Sequence, residues 1–171
     1  MCHRICMRML LLVSLVALLS ACRMSVSLTG GTIDPRAKTV AVATFSNNAS
    51  LVNPTLSQSF TTELKDKIQS QTPLTIVSRQ GDYEIEGEII NYSINPVAIQ
   101  GNETAAMNRL TITVRVRFVN KFDDTNNFDQ TFSRYADYES SRNFSSVEAA
   151  LVTEICDALT DDIFNKAFVN W

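Results

Sequence analysis

The chain has 171 residues, with 15 Lys and Arg against 18 Asp and Glu, one His and four Cys. That length holds one domain around one core, and the acidic balance argues against nucleic acid as a ligand. The single histidine, His3, stands at the extreme N-terminus, so the rest of the chain lacks the commonest general base and metal ligand.

Arg4 and Arg8 precede an apolar run from Met9 to Leu19, which ends in Leu19-Ser20-Ala21-Cys22. The order basic, apolar, small, cysteine is that of a lipoprotein signal segment over residues 1–21. The run is shorter than the roughly 20 residues a membrane-spanning helix needs. Cleavage after Ala21 would leave Cys22 as an acylated N-terminus, anchoring the chain to a membrane through its acyl chains. The alternative is an ordinary signal cut near Ala21, with Cys22 left plain; Met7 or Met9 would also open a usable signal. Loss of residues 1–21 removes Arg4 and Arg8 and leaves 13 Lys and Arg against 18 Asp and Glu, a net charge of −5 over 150 residues. Cys2 and Cys6 leave with the signal, and Cys156 is then the one unmodified cysteine. That excludes a disulfide framework and a cysteine zinc site. Cys156 falls on the apolar side of a predicted helix and reads as a small buried hydrophobe. No Gly-x-Ser-x-Gly elbow or phosphate-binding glycine loop occurs. The visible carboxylates alternate along a strand instead of meeting across a cleft. No catalytic residue, metal or cofactor is expected.

Residues 22–37 are polar, with Gly30, Gly31 and Pro35, and read as a tether to a single domain over 38–171. Lys38 to Phe45 alternates in part and predicts a first strand. Asn53-Pro54 predicts a helix start, with Asn53 as N-cap and Pro54 at the first helical position. Leu56, Phe60, Leu64 and Ile68 follow in steps of four, one apolar stripe. Leu74 to Ser78 predicts a short strand and Gly81-Asp82 a turn. The strongest strand patterns are Tyr83 to Ile94 and Leu110 to Val119, separated by a loop over 95–106, and Phe128 to Tyr138 adds another. Ser145 and Glu148 suggest a capping box for a last helix with the stripe Val147, Leu151, Ile155, Leu159 and Ile163. The fold class is α+β: two amphipathic helices packed on one face of a mixed, mostly antiparallel sheet of four to five strands.

Glu84, Glu86 and Glu88 share one face of their strand. Arg109, Arg115 and Arg117 share a face of the next with Thr111 and Thr113. Antiparallel pairing in one register sets Glu86 opposite Arg115 and Glu84 opposite Arg117, a solvated ladder whose pairs contribute about 0.2–1 kcal/mol each. The functional alternative is an arginine cluster that grips an anionic head group, since Arg suits phosphate. The long loop with Asn102 and Glu103 is a second candidate contact region.

Several stretches together resemble one family. They are Asn47-Asn48-Ala49, Leu51-Val52-Asn53-Pro54, Gly101-Asn102-Glu103-Thr104-Ala105-Ala106, Asn108-Arg109-Leu110-Thr111-Ile112, Asp162-Ile163-Phe164-Asn165-Lys166 and Asn170-Trp171. They are similar to the Bacteroidetes branch of the LptE-type lipopolysaccharide-assembly lipoproteins. The resemblance implies a periplasm-facing lipoprotein of the outer membrane, a plug and assembly aid for the LptD β-barrel, able to bind lipopolysaccharide. Arg109, Arg115 and Arg117, as the basic positions on one sheet face, and Asn102 and Glu103 of the long loop are the candidate contacts for lipopolysaccharide or barrel. Thr39-Val40-Ala41-Val42-Ala43-Thr44-Phe45 and Asp82-Tyr83-Glu84-Ile85-Glu86-Gly87 also look like curli-secretion and TolB-type mixed-sheet domains. These would imply a homo-oligomeric periplasmic scaffold instead.

Overall fold

The computed structural model describes residues 33–51, 53–97 and 106–169. Cys22, the tether as far as residue 32, Asn102, Glu103 and Trp171 lie outside the described residues. In chain order the elements are β1 (Thr39–Val42), β2 (Ser46–Asn47), α1 (Leu56–Gln71), β3 (Thr75–Val77), β4 (Tyr83–Val97), β5 (Met107–Asn120), β6 (Phe128–Glu139) and α2 (Phe144–Phe168). The sheet order is β3-β1-β4-β5-β6, with β2 pairing β4 off that path. β1, β2, β3 and β4 pair in parallel, and β4, β5 and β6 form an antiparallel meander. Two helices on a mixed sheet match the expected class.

Six strands replace the expected four to five because the strand read over Lys38–Phe45 stops at Val42 and a further short strand, β2, follows at Ser46–Asn47. The cause is Phe45. Its ring is fully buried and meets Phe60 of α1 edge-on at 4.9 Å. The Phe45 N–H donates to Thr61 Oγ1 at 3.1 Å and its carbonyl accepts from Ser57 Oγ, so these backbone groups serve the helix rather than a ladder.

Both apolar stripes are buried as the spacing predicts: Leu56, Phe60, Leu64 and Ile68 on α1, and Val147, Leu151, Ile155, Leu159 and Ile163 on α2. They cover the side of the sheet lined by Ile85 and Ile89 and by Leu110, Ile112, Val114, Val116 and Phe118. Cys156 lies in this core, as expected. A bulge between Ile89 and Asn91 shifts the register, so Tyr92 returns to the buried side.

The helix starts differ from the sequence reading. α1 begins at Leu56, because Asn53 Oδ1 accepts from Thr55 N (3.1 Å) and Thr55 Oγ1 (2.9 Å) and holds 53–55 as a turn. α2 is capped by Asn143, whose side chain accepts from Ser145 N at 3.1 Å. The expected Ser145–Glu148 box does not form. Glu148 reaches outward instead, and its Oε1 accepts from Tyr92 Oη (2.6 Å) and Asn53 Nδ2 (2.9 Å). One carboxylate thereby joins β4 and the approaches to both helices. Lys67 of α1 bridges Asp157 (2.9 Å) and Asp161 (2.6 Å) of α2. On the helix side of β6, Arg134 clamps Asp162 of α2 through two bonds of 2.6 and 2.5 Å. No helix among the described residues is long and apolar enough to cross a membrane.

Candidate functional site

The meander turns alternate side chains away from the helices, which leaves an open, polar sheet face. β5 places Arg109, Thr111, Thr113, Arg115 and Arg117 there. β4 adds Glu84, Glu86 and Glu88 before the bulge and Asn91, Ser93 and Asn95 after it. β6 adds Asp129, Thr131, Ser133, Tyr135 and Asp137. The three arginines thus share one face, as expected. The ladder register does not hold: Glu86 lies opposite Arg117 and Glu88 opposite Arg115. The offset is two residues; β4 and β5 also continue to Val97 and Met107, into the segment read as loop. A two-residue shift preserves the face.

Each arginine is held by an acid. Arg117 Nη1 donates to Glu86 Oε1 at 3.0 Å. Arg115 makes a two-pronged pair with Asp129, 2.8 Å at each oxygen, and Arg109 makes one with Asp137 at 2.7 and 2.8 Å. These bonds hold the Asp129 and Asp137 carboxyls below the usual carboxylate range. The Arg109 guanidinium also lies over the Tyr135 ring, 3.5 Å from its centre. Asp129, Asp137 and Tyr135 were not among the candidates read from sequence. Their signal was present as odd-numbered alternation along Phe128–Tyr138, but the aromatics of that stretch dominated the reading.

The face divides in two. Near the start of β4 it is charged, with Glu84, Glu86, Glu88, Arg115, Arg117 and Asp129. A groove of about 370 Å³ runs there beside Ala43, Thr44, Ser46 and Gly87. Beyond the bulge come neutral side chains, Asn91, Ser93, Thr111, Thr113, Ser133 and Tyr135, with the Thr113 and Ser133 hydroxyls 2.9 Å apart, before the Arg109–Asp137 pair. Among the described residues no group of three His, Cys, Asp or Glu side chains is placed to hold a metal ion. The arrangement suits binding by hydrogen bonds and ion pairs across a broad surface.

The family model for LptE-type lipopolysaccharide-assembly proteins matches residues 37–167, which is the whole of this two-layer fold short of its last residues. The chain belongs to the LptE family. No curated protein sequence matches it. Among solved structures, it is similar to a minor lipoprotein from Acinetobacter baumannii, at 13% identity and a TM-score of 0.50, covering 76% of this chain and 91% of that one. It is also similar to the rare lipoprotein B from Shewanella oneidensis, at 14% identity and a TM-score of 0.50, covering 75% and 92% respectively. At such identity the likeness is one of fold. LptE membership gives the chain a role in lipopolysaccharide assembly, as a non-catalytic envelope lipoprotein associated with the lipopolysaccharide transport machinery.

Proposed function

We propose that this LptE-family chain is an outer-membrane lipoprotein and a subunit of the lipopolysaccharide translocon. In this reading it is cleaved after Ala21, acylated on Cys22, and tethered by residues 22–37 to a domain over 38–171. It faces the periplasm and plugs an LptD-type β-barrel whose assembly it assists. The family match across the domain carries this reading. The open polar sheet face supports it, because the helices bury the other side and leave this one free for a partner. The charged half, with Arg115 and Arg117 beside the groove, is the proposed contact with the barrel interior. Arg109 lies toward the hairpin end of β4 and β5, and this end, with Asn102 and Glu103, is proposed to meet lipopolysaccharide. The resemblance of its motifs to the Bacteroidetes branch supports a position in that branch.

The test is affinity capture of the lipidated chain from native outer membrane, with mass spectrometry of what accompanies it. A single large β-barrel in equal amount is the expected result. Copies of the chain alone, or another lipoprotein, would overturn the translocon role in favour of a homo-oligomeric scaffold. Anchoring has its own test. Acyl chains contribute about 0.8 kcal/mol per buried methylene, so Cys22→Ala should release the protein from membranes of cells lacking the barrel. Continued membrane fractionation of that variant would refute acylation at Cys22.

A further inference from the structure

The neutral half of the sheet face has a grid of side chains that the family role does not by itself explain. Two rows run across the meander: Ser93, Thr111 and Tyr135 are consecutive cross-strand neighbours, and so are Asn91, Thr113 and Ser133. Tyr135 is 56% exposed, yet its ring is not free to wander. The Arg109 guanidinium stacks on it, and Asp137 holds that guanidinium by two short bonds. The result is a preorganised aromatic surface beside five hydroxyl and amide side chains.

Ligand classes can be separated by what this surface offers. An anion gains little, because the two cations bordering the rows, Arg109 and Arg115, are already paired with Asp137 and Asp129. An apolar ligand would cover hydroxyls and amides without satisfying them. A polyhydroxylated ring satisfies both requirements. Ser and Thr hydroxyls donate and accept alike, and so does the Asn amide; the tyrosine ring supplies an apolar plane with a polar tip. We propose that these two rows bind the saccharide portion of lipopolysaccharide, with a sugar ring against Tyr135 and its hydroxyls bonded to Ser93, Thr111, Thr113, Ser133 and Asn91. The proposal rests on the lipopolysaccharide-handling role for the source of its ligand. It assigns recognition to sugar hydroxyls, where the arginine-based reading assigns it to phosphate.

The test uses the full lipidated chain in a detergent without a sugar head group. The probe is lipid-free, dephosphorylated core oligosaccharide, followed by titration calorimetry. Saturable binding that persists at high salt is expected. Tyr135→Ala should weaken it about tenfold, the loss of one aromatic contact, and Tyr135→Phe should retain it. Lys65→Gln, on α1 in the opposite layer, should leave it unchanged. Circular dichroism of Tyr135→Ala checks the fold, which the exposed position should preserve. The inference is overturned if the dephosphorylated probe does not bind, or if Tyr135→Ala binds it as well as the parent. It is also overturned if only phosphorylated oligosaccharide binds and Arg115→Gln abolishes that. Barrel capture is read separately: a captured barrel without sugar binding refutes this inference alone, and sugar binding without a barrel refutes the translocon reading alone.

Discussion

Gly87 shows how one atom can decide a local geometry. A Cβ there would stand 2.3 Å from the Arg115 carbonyl oxygen and 2.5 Å from the Phe45 ring. One of those neighbours is ladder backbone and the other is a fully buried ring, so neither can yield cheaply. Gly87→Ala should cost about 1–3 kcal/mol in urea denaturation. Cys156 makes a different prediction. Burial, reinforced by the charge of Glu63, pushes its thiol up to about 12, so the thiolate is scarce at any physiological pH. A thiol reagent should leave Cys156 unlabelled in the folded, acylated protein at about pH 8 and label it once denaturant is added. Glu63 itself is half-buried, and desolvation followed by repulsion from Asp157 raises its carboxyl above the ordinary value. Its charged form therefore opposes folding, and stability from this group is gained as pH falls through the raised value. Glu63→Gln should raise the melting temperature at neutral pH, with the gain vanishing below about pH 4. Asp34, Asp82, Asp129 and Asp137 act in the opposite sense. Their carboxyls are depressed, that of Asp34 to about 2 through its bonds with Arg36. Their contribution is lost as pH falls through those values.

At the scale of elements, caps and cross-ties matter more than propensity. Asn143, not Ser145, caps α2: its side chain accepts from the Ser145 N–H in the first turn. Asn143→Ala should lower stability by about 1 kcal/mol, and Ser145→Ala by less. Glu148 accepts from both Tyr92 and Asn53. Glu148→Ala strands a buried tyrosine hydroxyl and should cost about 1–3 kcal/mol. Glu148→Gln retains an acceptor oxygen and should recover most of that loss, as measured by equilibrium unfolding. Neither role was legible in the sequence, where Ser145-x-x-Glu148 has the spacing of a capping box. The preference of Glu148 for Tyr92, 56 residues away, is set by tertiary approach and leaves no local trace. The helical stripes were legible, because burial at i and i+4 is a direct imprint of one-sided packing. Strand ends were less so. β4 runs through Asn95 and Pro96 to Val97, residues that favour loops and are tolerated here within a long hairpin.

For the whole molecule, alternation in Tyr83–Ile94 and Leu110–Val119 was enough to place three arginines on one solvated face. It did not reveal how that face is balanced. The acids answering Arg109 and Arg115 come from β6, and pairing between distant strands depends on register, which a single sequence constrains only through parity. The same balance leaves the face with polarity but little unspent positive charge, which is why the arginines alone do not define a ligand. One more consequence follows from the clamp between Arg134 and Asp162. β6 is the last strand of the sheet, and among the described strands its outer backbone has no partner. A long, bare margin of this kind invites another strand to add to it and turn a soluble domain into a growing sheet. Arg134 sits near the middle of that margin with its charge on the helix side. A foreign strand arriving there would have to pack its apolar side against a guanidinium that is already engaged. Arg134→Val should leave the helical content intact in circular dichroism and make the protein self-associate in light scattering. The clamp would then be a guard against aggregation as well as a tie between layers.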